Sequence, residues 1–254
     1  MAAIIVLVFG LLIGSFLNVC IYRIPKNISI VFPNSHCPKC KKEIQWYDNI
    51  PVFSYLILGG KCRKCKSNIS PRYLTVEVVT SLLFLMAYAK FGFSVEMLSA
   101  LVLFSFLVII ALIDLKTQYI YDVTVVPLAM LGLVFSFFIP GQTPLLALAG
   151  FLTGGAIFLT IAFLSRLYYN KEGMGMGDVK LAAAIGAFLG WRSVIMMAIV
   201  AVILGAVIGV ILLVTKKKKR QDYIPLGPFL VLGTIVILLV GERMSGILNT
   251  GWNN

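Results

Sequence analysis

Runs of about 17–25 apolar residues recur along the whole of this chain, the length a helix needs to cross a hydrocarbon layer of about 30 Å. Backbone placed in lipid has no water to bond, so such runs must form helices that satisfy their own N–H and C=O groups. We expect eight of them, at roughly 2–21, 74–91, 97–115, 120–139, 144–167, 178–191, 193–214 and 224–241. Composition agrees: 60% of the 254 residues are hydrophobic and 13% are charged, too little polar surface for a soluble domain of this size. The first run carries no charge before Arg23, so it reads as a retained helix rather than a cleaved leader. Lipoprotein processing at Cys20 is disfavoured by Asn18 and Val19, which stand where small residues are expected. The expected fold class is an all-α polytopic membrane protein.

The formal net charge of +12 would point to nucleic acid in a soluble protein, but here the charges record topology. With the N-terminus outside, every Lys and Arg of the twenty-two except Lys90, Arg192 and Arg243 falls on the cytosolic side, as the positive-inside rule prefers. The run Lys216-Lys217-Lys218-Lys219-Arg220 then reads as a stop anchor against anionic headgroups. No nucleic-acid partner is expected; the lipid bilayer is. Gly10 with Gly14, and Gly205 with Gly209, form GxxxG pairs that permit close helix contact without indicating function.

Three parts follow: helix 1 at 1–21, a polar cytosolic insert at 22–73, and a membrane core of helices 2–8 at 74–254. The insert holds Cys37-Pro38-Lys39-Cys40, then twenty-one residues, then Cys62-Arg63-Lys64-Cys65. Two CxxC pairs at this separation point to a four-thiolate metal site, because each turn aims two sulfurs at one point and two turns close a tetrahedron. A segment this short with few large apolar side chains needs such a staple to fold. Zinc, iron and two disulfides are the alternatives; a cytosolic location favours zinc, and a closed shell makes it structural. His36 is surplus to that shell and reads as a loop residue, and Cys20 as a small packing residue.

Ionisable groups in lipid are expensive and are functional candidates by default. Four of the ten acids lie at or within spans: Glu77, Asp114, Asp122 and Asp178; Glu43, Asp48, Glu96, Glu172, Asp222 and Glu242 fall in loops or at span edges. Asp114 ends the third span and Asp178 opens the sixth, within Gly173-Met174-Gly175-Met176-Gly177-Asp178-Val179-Lys180. Sixty-four residues separate them, yet the topology brings both to the cytosolic face at one depth. Peptide hydrolysis by two aspartates needs one ionised, to take a proton from a shared water, and one neutral, to polarise the scissile carbonyl. Repulsion and desolvation disfavour the doubly charged state, so such a pair titrates as a unit. Gly175 and Gly177 let backbone approach closely. The bland readings are that Asp178 caps helix 6 and that Asp114 pairs with Lys116 or Lys180; neither explains both acids at matching depth.

Several segments together resemble the type IV prepilin peptidase family. They are Gly14-Ser15-Phe16-Leu17-Asn18-Val19-Cys20-Ile21-Tyr22-Arg23-Ile24-Pro25, the two CxxC pairs, Asn49-Ile50-Pro51, Gly59-Gly60-Lys61, Ile69-Ser70-Pro71-Arg72-Tyr73 with Val76-Glu77, Ile113-Asp114, and Gly175-Met176-Gly177-Asp178-Val179-Lys180. The resemblance runs in order from residue 14 to about 190. It implies cleavage of the basic leader of prepilins and pseudopilins after a glycine, at the cytosolic face of a prokaryotic plasma membrane. It also implies N-methylation of the new N-terminus from S-adenosylmethionine. Under it, Asp114 and Asp178 match the protease pair, which needs no metal. The four cysteines match the metal ligands, and Gly60 matches a glycine linked to methyl transfer. Asn18, Arg23, Arg72 and Glu77 are further candidates for that second site, although Asn18 equally suits an interhelical hydrogen bond and Glu77 a pairing with an insert arginine. No glycine-rich fingerprint for the methyl donor is present. Where the family often has Ile-Pro-Asp, this chain has Ile120-Tyr121-Asp122, which puts the start of helix 4 in question and makes Asp122 the runner-up for the pair.

The competing class is an ion-coupled transporter with the aspartates as proton carriers. Its groups usually lie near the midplane, not at one face. A third class, a metal sensor or scaffold built on the insert, leaves the aspartates without a role.

Overall fold

The computed structural model describes residues 1–169, 174–216 and 224–248. Glu172, the run 217–220 and Asp222 lie outside the described residues, as do the side chains of Glu242 and Arg243. Every regular element among the described residues is helical, apart from two isolated bridges in the insert. The chain divides into two compact units, Met1–Ile109 and Ile110–Asn254.

In the first unit, α1 (Ala2–Arg23) packs along α3 (Arg72–Phe91). The GxxxG pair on α1 makes this possible. A Cβ at Gly10 would stand 2.6 Å from the Ser81 Cα, and one at Gly14 would stand 2.7 Å from the Glu77 Cα, so a larger residue at either position pushes the helices apart. Between them runs the insert, which contains only short helical turns and α2 (Phe53–Ile57). The helix α4 (Val95–Thr117) follows.

The second unit holds α5 (Asp122–Phe135), α6 (Pro144–Tyr169), α7 (Met176–Val214) and α8 (Gly227–Leu248). Helix α7 is interrupted at Gly190, whose φ of 76° and ψ of 169° belong to no helix. The break reverses the chain. A Cβ at Gly154 of α6 would touch both the Ala182 carbonyl and the Val194 side chain. Those residues would lie about 18 Å apart along a continuous helix. The chain therefore forms a hairpin of 176–189 and 191–214. Gln142 caps the turn, its side-chain amide donating to the carbonyls of Ala187 and Phe188 at 3.1 Å each, which the break deprives of helical partners. Gly150 and Gly186 meet backbone to backbone, each occupying the space a Cβ on the other would need. The second GxxxG pair has no such role: Gly205 and Gly209 make only ordinary contacts with Phe229 and Ile224.

Among the described residues, five helices are long and apolar enough to cross a membrane, not the eight spans read from the sequence. The 191–214 segment is counted with the rest of α7, and α5 and the described apolar part of α8 are shorter than a crossing requires. Helix α5 ends at Phe135, so its 14 residues rise about 21 Å, short of the expected 120–139. Its start needs no proline: Tyr121 is extended, and its carbonyl accepts the Thr124 N–H at 2.9 Å and the Thr124 hydroxyl at 2.7 Å. Large apolar side chains such as Leu12, Leu82, Leu152, Ile199 and Ile203 are exposed along these helices, the pattern of surfaces solvated by lipid.

Candidate active site and metal centre

The two CxxC segments fold into matching knuckles. In the first, the Cys37 N–H donates to the Lys42 carbonyl at 2.9 Å and the Lys41 N–H donates back to the Cys37 carbonyl at 2.8 Å. In the second, Cys62 and Ser67, then Lys66 and Cys62, repeat the pattern at 2.8 and 2.9 Å. Lys41 and Lys66 both turn the chain at φ 56°. The four sulfurs lie within 4.8 Å of one another, with Cys37 and Cys65 3.8 Å apart. Thiolates about 2.3 Å from a tetrahedral ion lie about 3.8 Å from each other, so this donor set fits a four-coordinate, thiophilic cation. The Ser67 hydroxyl and backbone N–H pull the Cys65 thiol down to about 6. The Cys40 backbone N–H lowers Cys37 as well. Both favour the thiolate that metal ligation requires, whereas Cys40, despite the Lys42 backbone N–H, is raised to about 11 by burial and by the neighbouring Cys37 and Cys65 thiols, which compete for the negative charge that a bound cation would neutralise. All five cysteines are free thiols, and Cys20 is buried in α1. The His36 ring bonds the Asn34 carbonyl and is not among the clustered ligands.

Around the knuckles, Arg63 bonds both oxygens of Asp48 through Nε and Nη2 at 2.7–3.0 Å. Of the residues considered for methyl transfer, Asn18 spans α1 and α3, donating to the Tyr73 carbonyl at 3.0 Å and the Gly14 carbonyl at 3.2 Å. Glu77 is buried and accepts the Val52 N–H at 2.8 Å. It ties α3 to the insert through backbone, not through an arginine. Gly60 has φ 68°, and a Cβ there would come within 3.0 Å of the Tyr55 hydroxyl. Arg72 opens α3. Arg23 lines a cavity of about 310 Å³ whose walls include none of the other four.

In the second unit, Asp114 stands in the last turn of α4 and Asp178 in the first turn of α7. Each is 3% exposed, and both line one cavity of about 170 Å³. Gly175, not Asp178, is the N-cap of α7, and the Asp178 N–H donates to the Gly175 carbonyl at 3.1 Å. Gly177 permits the approach of α7 to the preceding turn, since a Cβ there would stand 2.8 Å from the Ile120 Cβ. Lys180 is paired with Asp122 at 2.7 and 2.9 Å, both half-exposed at the cavity, and not with Asp114. Asp122 thus lines the cavity without joining the buried pair. One participant went unread in the sequence: the Gly227 N–H, at the start of α8, donates to the Asp114 Oδ2 at 3.1 Å. The Leu226-Gly227-Pro228 turn carries no charge or nucleophile to draw notice. Two buried carboxyls around a small cavity can hold a water between them and exchange its protons.

Two family models match the chain: the bacterial peptidase A24 N-terminal domain over residues 8–91 and the type IV leader peptidase family over residues 101–210. The chain is 36% identical to a prepilin leader peptidase/N-methyltransferase of Pseudomonas aeruginosa, covering 94% of this chain and 90% of that protein. It is 34% identical to one of Neisseria gonorrhoeae, covering 95% and 92%. One of Myxococcus xanthus is 39% identical, covering 83% and 63%. No solved structure matches the chain.

Proposed function

Because this chain belongs to the type IV leader peptidase family, we propose that it is an intramembrane aspartyl endopeptidase that removes the basic leader of prepilins or pseudopilins after a glycine and then N-methylates the new N-terminus. The burial of Asp114 and Asp178 around one cavity carries the peptidase reading. One carboxylate takes a proton from the shared water, whose oxygen attacks the scissile carbonyl. The neutral partner gives its proton to the carbonyl oxygen. Collapse of the tetrahedral adduct breaks the C–N bond as a proton passes to the leaving amine. No metal takes part. The Gly227 N–H and the α7 N-terminus hold the two carboxyls in place.

Orientation follows from charge: the N-terminus lies outside and the dyad opens to the cytosolic face of a prokaryotic plasma membrane. Counting the two arms of the Gly190 hairpin separately, and α5 and α8 as short crossings, gives eight passes. A short helix crosses where the bilayer thins around it. Cys37, Cys40, Cys62 and Cys65 hold a structural zinc ion that folds the insert. In the methylation step S-adenosylmethionine supplies a methyl group from its sulfonium to the new amine nitrogen, which loses a proton, leaving S-adenosylhomocysteine. Gly60, Arg23 and Arg72 serve that step; Asn18 ties α1 to α3, and Glu77 holds the insert on α3.

The test is to incubate purified protein with a prepilin in detergent, with and without S-adenosylmethionine, and weigh the products. Wild type is expected to cleave after the leader glycine and to add one methyl. Asp114→Asn and Asp178→Asn are each expected to lose about 10²–10⁴-fold in cleavage. Cleavage undiminished in both variants would sink the dyad.

A further inference from the structure

Where α1 ends, the chain folds back over its last residue. Arg23 is 6% exposed; its Nη1 donates to the Ser29 carbonyl at 2.8 Å and its Nη2 to the Pro33 carbonyl at 2.6 Å. No carboxylate among the described residues lies within 4.0 Å of it. The carbonyls orient the guanidinium without cancelling its charge, and two of its five N–H groups meet them. A buried cation with no counter-charge is a costly arrangement in a folded protein.

Beside this cation is a cavity of about 310 Å³, at the low end of the range of small-ligand sites. Ser15, Asn34, Ser35 and Asn49 give it hydrogen-bonding walls, and Phe16 and Ile30 give it apolar ones. Its lining comes from one face of α1, from Leu12 to Arg23, and from insert residues between Ile30 and Pro51. The lining suits a molecule with one anionic end, several hydrogen-bonding groups and a flat apolar face.

We propose that this cavity is the methyl-donor site, with the Arg23 guanidinium holding the carboxylate of S-adenosylmethionine. The placement rests on the methyltransferase reading above, and it puts Asn18, Glu77, Gly60 and Arg72 outside the cavity lining, so that Gly60 and Arg72 act by shaping the insert and not by touching the donor. A lipid phosphate offers the same anionic chemistry to Arg23, so the experiment separates the two sources.

The full metal-loaded chain, in phosphatidylcholine nanodiscs, is titrated with S-adenosylhomocysteine and with its decarboxylated analogue, which lacks only the carboxylate. Wild type is expected to prefer the carboxylate-bearing ligand about 10- to 100-fold, the usual strength of a hydrogen bond to a charged group. Arg23→Gln removes that preference, and Arg23→Lys keeps part of it. A merely structural arginine would weaken both ligands alike and leave the preference intact, which overturns the proposal. Where Arg23→Gln loses its metal and is misfolded, wild type decides alone: an azido-adenosyl donor must label residues 12–35 or 49–51. Labelling elsewhere overturns the placement while the methyltransferase reading stands. Failure of wild type to bind either ligand removes both. Loss of S-adenosylhomocysteine binding when phosphatidylcholine is replaced by phosphatidylglycerol assigns the cavity to a headgroup instead, and overturns the proposal too.

Discussion

The cysteine cluster and the carboxyl pair gather their functional atoms by different means. The four thiols come from two copies of one local turn, each closed by its own backbone hydrogen bonds, and all but the buried Cys37 stay accessible on a segment with little helix. The two carboxyls come from residues 64 positions apart, on helices that present them buried, with a third helix supplying an N–H. A metal ion supplies the binding energy that a small insert lacks, so its site needs only short-range geometry. A buried dyad has no such external staple and depends on the packing of the helices that carry it. Damage should therefore act differently on each: locally and by loss of metal in the insert, at a distance and through backbone in the dyad.

Gly227→Ala tests that difference most severely. The added Cβ would stand 2.6 Å from the Asp114 Oδ2 and 3.2 Å from its Cγ, so the carboxyl or the α8 N-terminus must move. Displacements of about 1 Å in a catalytic array cost about 10²-fold. We expect cleavage to fall by that order, with normal metal content and a normal thermal transition. An unchanged turnover number in Gly227→Ala would mean that α8 does not position Asp114.

Cys62→Ser, or removal of the metal by a chelator, attacks the other side of the contrast. Structural four-thiolate sites are unfolded without their ion, so methyl transfer should be lost outright. Cleavage should largely survive, since the contacts that hold Asp114 and Asp178 lie within Ile110–Asn254. Paired mass measurements of the two products check this. If chelation stops cleavage as completely as methylation, the units are not functionally separable.

The same contrast governs what could be read in the sequence. Apolar runs and CxxC spacing are short-range signals, and both the helices and the thiol cluster follow from them; an interruption near Arg192 is legible because that charge divides an otherwise apolar stretch, but the break itself falls at Gly190, which the spacing does not mark. Asp114 and Asp178 stand out because carboxyls are rare in lipid. Their partners do not. Gly227 acts through its backbone N–H, which every residue except proline possesses, and no pattern marks it. The choice of Asp122 over Asp114 by Lys180 depends on how α5 packs on α7, as does the shortness of α5. Likewise, Asn18 is a suitable ligand-binding residue by type, and only the adjacency of α1 and α3 shows its amide spent on the Tyr73 carbonyl.

Asp122→Asn should be mild, which sharpens the assignment of the pair. Its ion pair with Lys180 is exposed, with side chains 60% and 49% accessible, and pairs of that kind contribute about 0–1 kcal/mol. Cleavage should change by less than about fivefold. A loss matching that of Asp114→Asn would transfer the catalytic role to Asp122.

The smallest effect is expected from Asp48→Asn, which removes the clamp beside the second knuckle. Arg63 holds the Asp48 carboxyl below the usual carboxylate range, through its hydrogen bonds first and its charge second. A carboxyl lowered on folding stabilises the fold above its unfolded value of about 3.9, and that contribution is lost as pH falls through the lower folded value. The pair is therefore intact throughout the weakly acidic range in which protons compete with the metal for the four thiolates. Acid release should be driven by the thiols in both proteins, followed with a chromogenic chelator from pH 7 downward. Wild type and Asp48→Asn are expected to release metal at nearly the same pH, with Cys62→Ser holding little metal at any pH. A large shift of the Asp48→Asn midpoint toward neutrality would show instead that the ion pair, and not metal coordination, brings the two knuckles together.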